Sequence, residues 1–239
     1  MALDTVLWPG HGERMYSSIL KKLADLDKDA PVTFEQDPLA LSWASYHKFV
    51  DHGPRWMDLN LVTPDQQDHA LAQLTRAYYL GRYAMQALAK GKITEYQRKV
   101  YNFLNGGEIK TKDVGMIYKL PYFFNEDRAL DQLVTDPRVK ALPAAVDIKN
   151  RYHPCRHQLT ALETVLESRQ GGENTLYLWT TEDQHLVMWR VSQTNPLATM
   201  VQDLWERGSV DMCGAFIRKT SQRTTGTLQF LELVRPTLA

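Results

Sequence analysis

Two runs near the C-terminal end decide the fold: NTLYLWT, residues Asn174–Thr180, and HLVMWRV, residues His185–Val191. Successive side chains in a strand point to opposite faces, and both runs alternate in that way. Only Thr181-Glu-Asp-Gln184 separates them. Two alternating runs joined by a short polar turn predict a β-hairpin. Working outward, Leu159–Arg169 (LTALETVLESR) fits either a helix or a long strand. Asn195–Arg207 spaces Leu197, Met200, Val201 and Leu204 as a short helix or broad loop would. Ser209–Lys219 and Thr227–Val234 read as two further strands around a turn over Thr220–Gly226.

With Leu159–Arg169 counted as a strand, the order is three strands, a helical connection and two strands. That is the order of the OB-fold, an oligonucleotide- and oligosaccharide-binding barrel. The expected fold class is therefore α+β, a helical N-terminal region over 1–145 followed by a small five-stranded OB-like β-barrel over 146–239. In the front part, His11–Asp27 places Met15, Ile19, Leu23 and Leu26 at helical spacing, and Leu39–Val50 does so with Leu41, Trp43, Tyr46 and Phe49. His52-Gly53-Pro54 breaks the latter. Thr63 reads as an N-cap with Pro64 at the first helical position and Gln66 completing a capping box, and Gly91 stops that helix. Thr94 and Gln97 repeat the signature, and Asn105-Gly106-Gly107 ends the helix they start. Shorter helical pieces follow at Lys112–Lys119 and Asn125–Val134. Asp136-Pro137 and Leu142-Pro143 then place the domain boundary between 137 and 155.

The totals narrow the function classes. Lysine plus arginine (28) equals aspartate plus glutamate (28), so net charge favours neither nucleic acid nor a membrane surface, although a local basic face can still steer a polyanion. Two cysteines, Cys155 and Cys213, do not make a disulfide framework. The first residues carry no basic segment ahead of an apolar one, and no run of about 18 apolar residues occurs. A soluble cytoplasmic protein is expected, with no membrane partner.

Single strands are held by bases stacking on aromatic rings while arginine and lysine follow the phosphates. Tyr177 and Trp179 lie two apart on one strand face, and Val187 and Trp189 share a face opposite to that of Met188 and Arg190. One face of each strand must fill the barrel, so these rings are either stacking platforms or core. Phe216–Arg235 carries Arg218, Lys219, Arg223 and Arg235 against one acid, Glu232. Such a hairpin suits phosphate contacts, or is a solvated turn with protective edge charges. The candidate nucleic-acid-binding residues are accordingly Tyr177, Trp179, Arg190, Arg218, Lys219 and Arg223. In the front helices, Arg76, Tyr79, Arg82 and Tyr83, then Lys90, Lys92, Arg98 and Lys99, make a basic stretch that extends this surface or is a wet helix face.

Other chemistry is weaker. His153-Pro-Cys-Arg-His157 holds metal-capable side chains but has no second ligand pair at zinc spacing, so no metal or cofactor is expected. A nucleophile built on Cys155 or Cys213 lacks an elbow motif, and the Trp8–Gly12 cluster lacks the ending of a phosphate loop. No catalytic residues are assigned.

The back part also resembles an OB-like domain of phage and plasmid replication-associated proteins. The resemblance rests on Tyr177-Leu178-Trp179, the turn Glu182-Asp183-Gln184 and Val187-Met188-Trp189. It continues in Gly214-Ala-Phe-Ile-Arg-Lys219, Gly226-Thr227 and Leu233-Val234-Arg235. Lys92-Ile93-Thr94-Glu95-Tyr96-Gln97 is similar to a helix start in the same proteins. The pattern has a glycine where this chain has Gln184, its basic residues follow Gly214 more closely, and the zinc-binding cysteine pairs of some relatives are missing. The resemblance implies the OB-like fold more than any partner; together with the strand order and the hairpin charges it points to a non-enzymatic protein of phage or mobile-element origin that binds single-stranded DNA or RNA. The alternative is a protein-interaction or structural module with a protein partner.

Overall fold

Helix starts in the front part follow from local capping chemistry. The computed structural model describes residues 29–34, 36–52, 63–91, 93–143, 153–169, 172–223 and 226–238, so the expected helix at 11–27 and the Trp8–Gly12 cluster lie outside the described residues. Helices α1 (Pro38–His52), α2 (Gln66–Lys90) and α3 (Glu95–Leu104) stand where periodicity placed them. Thr94 caps α3 as expected: Gln97 donates its backbone N–H to Thr94 Oγ1 at 3.2 Å, and Thr94 donates back to Gln97 Oε1 at 2.9 Å.

The start of α2 differs from the expectation. Its N-cap is Asp65, not Thr63, and the reciprocal box is closed by Asp68, not Gln66. The Asp68 backbone N–H donates to Asp65 Oδ1 at 2.9 Å, and the Asp65 N–H donates to Asp68 Oδ2 at 3.0 Å. Starting two residues later sets two carboxylates against the positive end of the helix dipole, which Thr63 and Gln66 would not do.

Strands β1 (Pro31–Val32) and β2 (Ile109–Lys110) pair antiparallel, and α4 (Val114–Tyr118) and α5 (Leu120–Leu133) follow. The core of this first unit gathers Leu39, Trp43, Tyr79, Tyr83, Val100, Leu104, Leu120 and Phe124. Buried Trp43 has its indole N–H satisfied by Thr75 Oγ1 at 3.0 Å.

The chain divides into two compact units between Phe124 and Asn125, inside α5. Proline punctuation pointed to 145/146 instead. The difference has a packing cause: Ala129, Leu130 and Leu133 of α5 pack with Val165, Leu176, Leu178, Leu186 and Met188 of the second unit.

The second unit is a closed five-stranded barrel. Its strands are β3 (His153–Arg169), β4 (Gly172–Thr180), β5 (Leu186–Ser192), β6 (Ser209–Gln222) and β7 (Thr227–Leu238), closed in the order β3-β4-β5-β7-β6. The ambiguous segment is thus a strand, and it begins at His153, inside the stretch where the domain boundary was expected. A register shift between Ala161 and Glu163 lets β3 change partner: His153–Thr160 pairs with β6, and Thr160–Arg169 with β4. β5 and β7 are parallel and the other neighbours antiparallel. With α6 (Ala198–Glu206) between the third and fourth strands, this is the OB-fold order.

Tyr177, Trp179, Val187, Trp189, Met212, Phe216 and Leu233 fill the barrel, and Val201 and Leu204 of α6 join them. Gly214 is needed where β6 crosses β7: a Cβ there would meet Arg235 O and Leu233 Cδ1, each at 2.8 Å. Among the described residues no helix is long and apolar enough to cross a membrane.

Candidate nucleic-acid interface

Strand alternation decides which expected site residues can meet a ligand. Tyr177 and Trp179 of β4 and Trp189 of β5 turn inward and are 6%, 0% and 5% exposed. The Trp179 ring meets Trp205 of α6 edge-on, with centroids 4.8 Å apart at 79°. These rings are barrel core, and their faces are already covered by protein. The opposite faces of β4 and β5 carry Leu176, Leu178 and Met188, which the Asn125–Leu133 half of α5 covers through Leu130 and Leu133. OB barrels bind oligonucleotides on the face of their second and third strands, here β4 and β5. Much of that face is therefore closed by the unit's own helix.

What stays open is a cleft of roughly 290 Å³ beside α5, lined by residues of β4 to β7 and the end of β6. Three of the expected phosphate ligands line it: Arg190, Lys219 and Arg223. Arg190 is fixed from below. Glu167 of β3, with a fully buried side chain, accepts from Arg190 Nε, and its Oε1 accepts from Nη2 at 2.8 Å. Those hydrogen bonds outweigh the opposing effect of burial and hold the Arg190 guanidinium above its ordinary pKa. Glu232 of β7 lies 3.5 Å from both Arg190 Nη1 and Lys219 Nζ. Arg223 donates Nη1 to Asp127 at 2.7 Å, while its Nε–H is buried and unpartnered among the described residues.

The fourth expected cation points elsewhere. Arg218 donates to the backbone carbonyls of Leu142 and Pro143 and to Gln229 Oε1 at 3.3 Å, so it ties the segment after α5 to the β6–β7 hairpin.

No protein-family model, curated protein or solved structure matches this chain.

The geometry alone therefore assigns roles. Arg190, Lys219 and Arg223 face four carboxylates, Glu167, Glu232, Asp127 and Glu126, so acids outnumber cations and the cleft is not a basic funnel. Thr220 and Ser221 add hydroxyls, and Phe230 adds the one aromatic ring in its lining. Sequence reading counted Glu232 only as the acid of the hairpin and passed over Phe230, although alternation along β7 puts both on one face with Leu228; that register was the signal. Glu167 and Asp127 had none, because each meets its arginine only through the fold. Among the described residues no group of three or more His, Cys, Asp or Glu side chains could hold a metal ion.

Proposed function

We propose that the barrel unit binds single-stranded nucleic acid along the cleft formed by β5, β7 and the β6–β7 hairpin. One observation carries this reading: the unit's cleft lies on the outer, ligand-binding side of an OB-ordered barrel, next to the hairpin that OB-folds use for oligonucleotides, and three cations line it. In this arrangement Arg190 and Arg223 are held rigidly for phosphate, Lys219 is the half-exposed cation that follows the backbone, and Phe230 is the ring available to a base. Phosphate must displace Glu232 from Lys219 and Asp127 from Arg223, so binding is expected to be modest and strongly dependent on salt.

The test is fluorescence anisotropy of labelled single-stranded DNA, single-stranded RNA and duplex DNA at two salt concentrations. Micromolar or tighter binding to a single strand is expected, weakening with salt. Lys219→Ala should reduce the salt slope by about one. No binding to any of the three at low salt sinks the proposal.

A second reading has its own support. Each of the four expected phosphate cations already has a carboxylate or carbonyl partner, which suits a protein-interaction module better than a polyanion site. A stable oligomer or a co-purifying protein, unaffected by added oligonucleotide, would favour it.

A further inference from the structure

The first half of β3 carries a second constellation, outside the cleft. Cys155 and His157 are two residues apart, so both side chains lie on one face of the strand. β4 ends at Thr180, and the turn that follows brings Glu182 beside the overhanging part of β3. Cys155 Sγ lies 3.3 Å from His157 Nε2, and His157 Nδ1 lies 3.3 Å from Glu182 Oε1. The Phe216 ring meets the imidazole edge-on, with centroids 5.2 Å apart, and restricts its orientation. The order of contacts matters: a carboxylate on Nδ1 keeps the proton there and leaves the Nε2 lone pair facing the thiol. Nucleophile, base and orienting carboxylate are the parts from which an activated thiol is built.

We infer that Cys155, His157 and Glu182 form a thiol-exchange site in which Cys155 attacks small-molecule disulfides. His157 Nε2 takes the Cys155 thiol proton, and the sulfur attacks one sulfur of the disulfide. A new bond to Cys155 forms as the old S–S bond breaks, and the departing thiolate takes the proton from His157. One protein thiol and one disulfide thus give a mixed disulfide and one free thiol, with no other oxidant. Burial, and after it the Glu182 charge, push the Cys155 thiol above its ordinary pKa. The sulfur is therefore protonated at neutral pH and depends on a base within reach. Burial would raise the Glu182 carboxyl, but hydrogen bonds from its own backbone N–H and from His157 outweigh that and hold it below the ordinary range. It stays ionised to steady the imidazolium. Cys213, on β6 and with no such base beside it among the described residues, is the internal reference.

The test exposes the full chain to oxidised glutathione from pH 6 to 9 and follows adduct formation at each cysteine by peptide mass spectrometry. At pH 7, Cys155 is expected to react about a hundredfold faster than Cys213, the lower end of what a positioned base supplies. Its advantage over Cys213 should shrink as pH rises through the ordinary thiol range near about 8.5, where a thiol ionises without a base. His157→Gln should slow Cys155 about a hundredfold at pH 7 and remove its advantage over Cys213 while leaving Cys213 unchanged. Glu182→Gln should shift the wild-type profile without removing it. A variant that unfolds would expose both cysteines together, which circular dichroism and the Cys213 rate reveal; the wild-type profile then decides by itself. Cys155 reacting no faster than Cys213, or a His157→Gln profile identical to wild type, overturns the proposal.

Discussion

Arg223 Nη1 donates to Asp127 Oδ1 at 2.7 Å, joining the end of β6 to the half of α5 that lies over the barrel. The side chains are 9% and 21% exposed, so removing one charge leaves the other poorly solvated. Asp127→Ala is expected to cost about 2 kcal/mol, because stranding a largely buried charge outweighs the loss of a single hydrogen bond. It would be read as a lower urea midpoint. Asp127→Leu combined with Arg223→Met should recover most of that loss, since an apolar pair of similar volume avoids desolvation. An unchanged midpoint for Asp127→Ala would mean that this pair does not hold the helix. Asp127→Asn also bears on function: it releases Arg223 and should tighten single-strand binding while steepening its salt dependence.

Trp179 separates a core role from a stacking role. It is fully buried against Trp205, and its indole N–H has no partner among the described residues. Trp179→Ala should cost about 3–5 kcal/mol and unfold the barrel, which would remove ligand binding indirectly. Trp179→Phe is the informative variant, expected to lower the thermal midpoint while leaving oligonucleotide affinity as it was. Lost affinity at unchanged stability would instead put the ring in contact with the strand.

Gln184 occupies the left-handed region with φ of 65°, the one non-glycine residue with positive φ among the described residues. It closes the β4–β5 turn, donating its backbone N–H to Thr181 O at 2.8 Å. Glycine is the residue that adopts this conformation without steric cost. Gln184→Gly should raise stability by up to about 1 kcal/mol, because the side chain resists this conformation and glycine does not. Gln184→Val should lower it, since a β-branched side chain tolerates positive φ worst. A destabilised glycine variant, seen in the same urea titration, would show that the side chain contributes more than the backbone costs.

Barrel topology was legible because alternation and turn chemistry are local. The pairs Tyr177/Trp189 and Trp179/Val187 sit opposite one another across the hairpin, as two runs of period two joined by a short turn require. The first strand resisted reading because LTALETVLESR satisfies both periods, and its bulge at Ala161/Glu163 hides the change of partner. Which face of the hairpin meets solvent was not legible at all. It depends on Leu130 and Leu133 of α5, far away in sequence, covering the face that carries Leu176 and Met188. The same distance conceals Glu167 under Arg190 and Asp127 beside Arg223, so residues that read as free cations are paired ones.

The start of α2 offers a test in which two readings of the same few residues give opposite outcomes. If Thr63 were the cap, Thr63→Ala would destabilise the helix and Asp65→Ala would be neutral. The observed box reverses this: Asp65 accepts from the Asp68 backbone, and Asp68 also reaches His47 Nδ1 at 2.7 Å, so the cap is tied to α1. The hydrogen bond from the Asp68 backbone N–H is the largest influence on the Asp65 carboxyl and holds it below its ordinary value of 3.8. A carboxyl depressed in the folded state stabilises above its unfolded pKa, and that contribution is lost as pH falls through the folded value. Asp65→Ala should therefore lower the far-UV melting temperature at pH 7, and the gap to wild type should close as pH is taken below 3.8. Thr63→Ala should melt with wild type at both ends of the range. A gap that persists undiminished in acid would mean that Asp65 acts without its charge, through the geometry of the turn alone.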